Sequence, residues 1–358
     1  MSAISYPEQR TIARIRIAAM LFVLLAGVCV AQAESVPAVK RIASRGMVVK
    51  TDKGEAEIPL EISRDWSEPQ AQITRALIII HGKGRDVEGN FDSARRGART
   101  SDASESTLII APQFLREVDI PAHRLGPKIL RWSQGEWSAG EDAMAPIALS
   151  SFGVLDAIVQ RLGDRRLFPA LQQIVIAGHS AGGQIVQRYA VVGLAPKALP
   201  ADLHVRFVIA NPSSFLYFDD LRPAPGGALV PFPGAAACRR FNRWRYGPRD
   251  APAYVADASF AALEQAYAAS DVIYLQGTAD NDPKHPDLDT SCAGEAQGAN
   301  RYERGNAYFH YMQSRHPGGG AQRFWQVPGV AHDASRMFNS ECGLAAVFDH
   351  GACTTPMH

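Results

Sequence analysis

The chain has 358 residues, 46% of them hydrophobic, which is ample for a sizeable core in one large domain or two. Its 37 basic and 36 acidic residues leave a formal net charge of +1, so there is no electrostatic case for nucleic acid or an anionic membrane surface as a partner.

The first stretch is not expected to belong to the fold. Arg10, Arg14 and Arg16 precede an apolar run from Ile17 to Val30, and Ala31-Gln32-Ala33 has the small-x-small pattern of a cleavage site. Residues 1–33 therefore read as a secretory signal peptide, leaving a domain of residues 34–358 that is exported to the periplasm or secreted. The apolar run falls short of the ~20 residues of a spanning helix, so no stable membrane anchor is expected after cleavage. Cys29 sits one residue too far along for a lipoprotein site. Cys238, Cys292, Cys342 and Cys353 then remain, and an even count in an exported chain argues for two disulfides. Cys238–Cys292 and Cys342–Cys353 are the favoured pairs. None of the four has metal-ligand spacing, so neither zinc nor another metal or cofactor is expected.

Met47 to Thr51 and Glu57 to Ile62 mix apolar and polar residues over short runs, which predicts an antiparallel pair at a sheet edge. Ala76 to Ile80 and Thr107 to Pro112 are continuous apolar runs of the kind buried on both faces, with helix-compatible sequence between them. Gln134 to Met144, rich in Trp, Gly and Ser, reads as a loop over the sheet. Ser150 to Leu162 has the apolar spacing of a packed helix. Ile174 to Ala177, His204 to Ala210, Asp271 to Gln276 and Gln322 to Val327 complete the predicted strands, with helices at Asn306 to Gln313 and Ala334 to Phe348. Strands alternating with helices predict an α/β fold, a mostly parallel doubly wound sheet of about eight strands. From Phe215 to Ser270 six prolines interrupt any regular period, so residues 215–270 read as a cap-like excursion that ends in a helix near Ser259 to Ala268.

The chemistry centres on Gly178-His179-Ser180-Ala181-Gly182, which directly follows an apolar strand and precedes a helical run. That context turns a common pattern into a nucleophile elbow, a sharp strand-to-helix turn that exposes a serine at a helix N-terminus. Acyl transfer also needs a base and a carboxylate to orient it, and donors for the developing oxyanion. Candidates fall after later strands: Asp280 or Asp282 after the Asp271 run, and His332 after the last. His285, His310, His316 and His350 compete less well by position, and His179 reads as a spacer within the elbow. Asp287 and Asp289, with Asp282, lack the glycine turn of a calcium loop and read as solvated turn residues.

The order Ser, Asp, His, the His81-Gly82 loop and the Gly277-x-x-Asp280 turn together resemble the α/β-hydrolase superfamily over roughly residues 77–333. More narrowly, His81-Gly82-x-Gly84-Arg85, Gly178 to Gln184 and Asn211-Pro212-Ser213-Ser214 resemble exported microbial serine hydrolases of unassigned substrate. The resemblance implies Ser180 as nucleophile, His332 as base, Asp280 as its acid, and the N–H groups of Ala181 and of Lys83 or Gly82 as the oxyanion hole. The expected activity is cleavage of a carboxylic ester, in a small molecule or a polymer. Amidase, peptidase or acyltransferase chemistry would use the same parts, and a hydrolase-like fold that only binds a ligand is the third reading. Trp132 and Trp137 could stack on a sugar or aromatic ring, with Asn211 and Ser213 hydrogen-bonding it, or all could be packing residues. Phe215 and Tyr217 carry the same two readings. Lys83 and Arg85 could attract an acidic substrate or pair with neighbours such as Asp86.

Overall fold

The structure, a computed structural model, describes residues 1–3, 37–255, 258–318 and 320–354. The segment read as a signal peptide lies outside the described residues from position 4 onward, Cys29 included. The chain divides into two compact units, Met1–Pro37 and Ala38–His358, and the second carries every element below. Among the described residues no helix is long and apolar enough to cross a membrane.

Eight strands form the central sheet: β1 (Arg45–Thr51), β2 (Gly54–Ile62), β3 (Arg75–Ile80), β4 (Thr107–Pro112), β5 (Gln173–His179), β6 (His204–Ala210), β7 (Asp271–Gly277) and β8 (Arg323–Val327). Their order across the sheet is β1-β2-β4-β3-β5-β6-β7-β8. The edge pair β1 and β2 is antiparallel, β2 meets β4 antiparallel, and all other neighbours run parallel. Apolar runs are what a parallel sheet needs, because side chains alternate between two covered faces. Ala76, Ile78 and Ile80 of β3 enter one core, while Leu77 and Ile79 enter the other.

The first core is roofed by α2 (Ser151–Leu162), α3 (Ala181–Val192), α4 (Phe260–Ala268) and α5 (Arg301–Arg315). The second is closed by α1 (Val87–Thr100), α6 (Ala334–Phe338) and α7 (Glu341–Phe348). Side-chain caps set several starts: Ser150 accepts the Phe152 N–H ahead of α2, and Asn300 accepts the Glu303 N–H ahead of α5. That cap starts α5 five residues before the predicted Asn306. The closing helix expected as one piece is two, because Ser340 accepts the Gly343 N–H and so begins a new helix two residues after α6 ends.

The 215–270 excursion holds a small antiparallel ribbon, Leu221–Pro223 with Leu229–Pro231, and α4 at its end. Its tethers reach three parts of the body. Trp244 Nε1–H donates to the Ala139 carbonyl at 2.7 Å, Arg188 of α3 donates to the Arg245 carbonyl at 3.1 Å, and the Tyr311 hydroxyl accepts the Phe218 N–H at 3.0 Å. Disulfide Cys238–Cys292 fastens it to the loop after β7, and Cys342–Cys353 joins α7 to the C-terminal tail.

Candidate active site

Strand β5 ends at His179 and α3 begins at Ala181, which leaves Ser180 alone on the turn with φ 59° and ψ −122°. The positive φ falls on the serine itself, a backbone state that persists only where the surroundings impose it. The flanking glycines impose it by close packing. A Cβ on Gly178 would lie 2.3 Å from the Gly182 carbonyl oxygen, and one on Gly182 would lie 2.3 Å from that of Ile80. The turn is locked by the Ser180 N–H donating to the Ala210 carbonyl at 3.0 Å.

Two loops from the same rim of the sheet bring up the partners. The loop after β7 places Asp280, and the loop after β8 places His332. Ser180 Oγ lies 3.0 Å from His332 Nε2, and His332 Nδ1 lies 2.7 Å from Asp280 Oδ2. The ring must therefore carry its proton on Nδ1, donating to the carboxylate, and leave Nε2 to accept from the hydroxyl. Asp282 is exposed, with Oδ1 accepting the Lys284 N–H, so Asp280 is the acid that faces the histidine. His310 and His350 are exposed, and His316 pairs with Glu264. His285 does reach the site, its ring edge-on to His332 at 4.8 Å.

His179 is buried with its ring 4.5 Å from that of His332, and burial, then the His332 and Arg301 charges, hold it uncharged well below the usual histidine range. The ligand atoms of His179, Asp280 and His332 lie within 4.8 Å of one another, close enough for a metal. Two of the three are engaged with each other and with Ser180 in a hydrogen-bonded relay.

The loop after β3 passes over the serine: a Cβ on Gly82 would be 3.7 Å from Ser180 Cβ. His81 is buried beneath it against Trp137, with ring centroids 4.7 Å apart. Burial pushes its imidazole down to about 4, so the ring is neutral, and its two hydrogen bonds fix the tautomer. Nε2 accepts the Phe114 N–H at 2.9 Å, so Nδ1–H donates to the Gly82 carbonyl at 2.9 Å. Arg85 N–H donates to the same carbonyl at 3.0 Å. A trans peptide sends its N–H opposite its carbonyl, so with the Gly82 oxygen held inward the Lys83 N–H points outward.

Several expected ligand contacts turn out to be internal. Trp132 and Trp137 are buried, Trp132 donating to the Glu141 carbonyl and Trp137 stacked on Phe114 at 5.3 Å, so neither ring offers a face to a substrate. Asn211 is buried too. Its Oδ1 accepts the Gly277 N–H at 2.9 Å and its Nδ2 reaches the Ala331 carbonyl at 3.4 Å, bracing the acid and histidine loops from behind. Ser213 Oγ accepts from Arg301 Nε at 3.0 Å, and Phe215 and Tyr217 pack against Tyr308. Lys83 pairs with Asp287 at 3.0 Å, and Arg85 forms a buried fork with Asp119, while Asp86 instead caps α1. The residues missed from sequence are His81's loop-holding role, His285 and Arg301. The His81-Gly82 pair directly at a strand end was the available signal for the first, and no local pattern marks the other two.

A doubly wound sheet with this strand order, a serine elbow and a Ser-His-Asp relay on one rim defines the α/β-hydrolase fold. No protein-family model matches the chain, and no curated protein matches it. Among solved structures the chain is similar to poly(aspartic acid) hydrolase-1 from Sphingomonas sp. KT-1, at TM-score 0.59 and 20% identity over 86% of this chain and 99% of that one. It is similar as well to LpqC, a poly(3-hydroxybutyrate) depolymerase from Bordetella parapertussis, at TM-score 0.58 and 19% identity over 86% of this chain and 91% of the other. The chain has the α/β-hydrolase fold.

Proposed function

We propose that the protein is an exported serine hydrolase that cleaves a carboxylic ester through an acyl-enzyme. The observation that carries this reading is the unbroken relay from Ser180 Oγ through His332 to Asp280, at 3.0 and 2.7 Å. In the forward step Oγ attacks the ester carbonyl while His332 takes its proton, and the same proton then goes to the leaving alcohol. Water, activated by His332, releases the acid in the second half. The tetrahedral oxyanion is received by the N–H of Ala181 at the start of α3 and the outward N–H of Lys83, with the Gly82 N–H as the alternative second donor.

A polymer substrate enters because the two structural neighbours are described as acting on poly(aspartic acid) and poly(3-hydroxybutyrate). The disulfides Cys238–Cys292 and Cys342–Cys353 support export to an oxidising compartment. The test is a panel of esters of varied acyl length, with matched amides, given to the parent and to Ser180→Ala. Loss of ester turnover in the variant, by about 10⁴-fold or more, is the expected result. Unchanged turnover would end the proposal, and turnover of amides alone would replace esterase with amidase.

A further inference from the structure

The two oxygens of Asp280 are served unequally. Oδ2 takes the Nδ1–H of His332 at 2.7 Å, while Oδ1 has one donor among the described residues, Arg301 Nη1 at 3.4 Å. Both side chains are sealed from solvent, at 1% and 2% exposure. Arg301 opens α5 and is held by Nε–H donating to Ser213 Oγ at 3.0 Å, and Ser213 in turn donates to the Asp287 carbonyl at 3.3 Å. The next residue of the helix grips Asp280 again, the Tyr302 N–H donating to its carbonyl at 3.2 Å.

This is not how the chain builds an ion pair for stability. At Arg85 and Asp119 it makes a two-pronged fork, at 3.0 and 3.1 Å. Arg301 instead makes a single longer contact and leaves its Nη2 with no partner among the described residues. A buried charge so incompletely paired is a poor stabiliser, which points to a role in the relay.

We infer that Arg301 is the positioning residue of the relay: it fixes the Asp280 carboxylate so that Oδ2 stays on His332, and it tempers the negative charge that His332 faces. The inference rests on the serine-hydrolase reading and adds a residue to it. The other ionisable groups around the pair are His179 from β5, Arg304 one turn along α5 and bonded to the Ser213 carbonyl, His285 and Asp287 from the acid loop, and Lys83 from the loop after β3, with Asp282 and Asp333 farther out on the two loops. His179 and His285 are both held below the ordinary histidine range, chiefly by burial, and stay neutral near neutral pH. Lys83 and Asp287 offset one another. Arg304 has Asp289 as its first counter-charge, so Arg301 is the positive charge in direct contact with the carboxylate.

The sign of its effect follows. Protonating His332 adds a positive charge beside Asp280 and Arg301, so removing Arg301's charge favours the protonated, inactive relay. The acid limb of the pH–rate profile then moves upward, by about one pH unit. The experiment measures the rate at which a fluorophosphonate labels Ser180 against pH, on the full chain with its disulfides intact. In that reaction the Oγ–P bond forms, fluoride leaves, and the Oγ proton passes to His332. Arg301→Gln is expected to label about 10- to 100-fold more slowly at its optimum, with the limb displaced upward. Arg301→Lys, which keeps the charge but has no second nitrogen to hold Ser213 while reaching Asp280, is expected to keep the limb in place and label about 5-fold more slowly. A parent that does not label overturns the serine-hydrolase reading itself. A parent that labels, beside an Arg301→Gln limb left in place, overturns the role given to Arg301, because a purely structural residue would lower the melting temperature without moving the limb. Should the Gln variant fail to fold, an Arg301→Lys variant that labels at the parent rate overturns it equally.

Discussion

The loop that aims the Lys83 N–H depends on a histidine that must stay neutral, and acid should therefore loosen it. His81 is buried, and burial carries its imidazole from an ordinary 6.5 down to about 4, against a weaker opposing pull from the Gly82 carbonyl. The unfolded chain binds a proton there below about pH 6.5, and the folded chain resists it until about pH 4. His81 thus contributes stability that is fully present above 6.5 and lost as the pH falls toward 4. At about 1.4 kcal/mol per pH unit, the whole window amounts to about 3 kcal/mol. Other groups titrate over the same range, so the measurement is a difference. Urea unfolding, followed by tryptophan fluorescence, is run on the parent and on His81→Gln from about pH 7.5 to about pH 4.5. Glutamine keeps a donor and an acceptor but has no proton to gain. The variant should be less stable than the parent at neutral pH, by about 1–2 kcal/mol from lost packing and hydrogen bonding, and the difference should shift by about 2–3 kcal/mol in the variant's favour at the acid end, so that the variant becomes the more stable of the two. A gap that stays constant across the window would refute the claim that this ring is held neutral by burial.

Three further outcomes are expected. Asp280→Asn should leave the fold intact and lower kcat on an active ester by about 10⁴-fold, because an amide no longer enforces the Nδ1–H tautomer of His332; activity within tenfold of the parent would remove Asp280 from the relay. Gly182→Ala should destabilise by about 1–3 kcal/mol in thermal or urea unfolding, since its methyl would sit 2.3 Å from the Ile80 carbonyl oxygen and 2.7 Å from that of His81. Replacing Cys238 and Cys292 by serine should cost about 4 kcal/mol and replacing Cys342 and Cys353 about 3 kcal/mol, because the bridges close loops spanning 54 and 11 residues; equal or reversed costs would argue against the loop-entropy account.

Much of this molecule was legible before folding. The apolar runs of β3, β4, β5 and β6 announce strands covered on both faces, because parallel strands have no polar face to show. The elbow was readable for a related reason: Gly178, Ser180 and Gly182 are local neighbours, and their spacing reflects a turn completed within a few residues. His332 and Asp280 were found because strand ends in such a sheet gather on one rim, so that position along the chain stands in for position in space. The break between α6 and α7 was missed because the run from Ala334 to Phe348 keeps an apolar pattern throughout, and only the Ser340 cap divides it.

Other properties were decided by tertiary contact alone. Trp132, Trp137, Asn211 and Ser213 have the composition of a binding surface, and the sequence cannot distinguish a ring offered to a ligand from one buried against Phe114. Lys83 and Arg85 look alike in the chain, yet one meets Asp287 at the rim and the other is sealed against Asp119. Arg301 carries no signal at all. It is the first residue of a helix and 21 positions from Asp280, and it becomes part of the relay only because α5 packs its first turn under the acid loop. The sequence by itself determined the sheet and the elbow, since both are written in short-range pattern, and it narrowed the partners of Ser180 to residues at strand ends; that Asp280 and not Asp282 faces His332 was decided by the tertiary structure. Which charges and rings surround that relay, and what each one holds in place, was settled only when distant segments met, because burial and pairing are properties of neighbours in space.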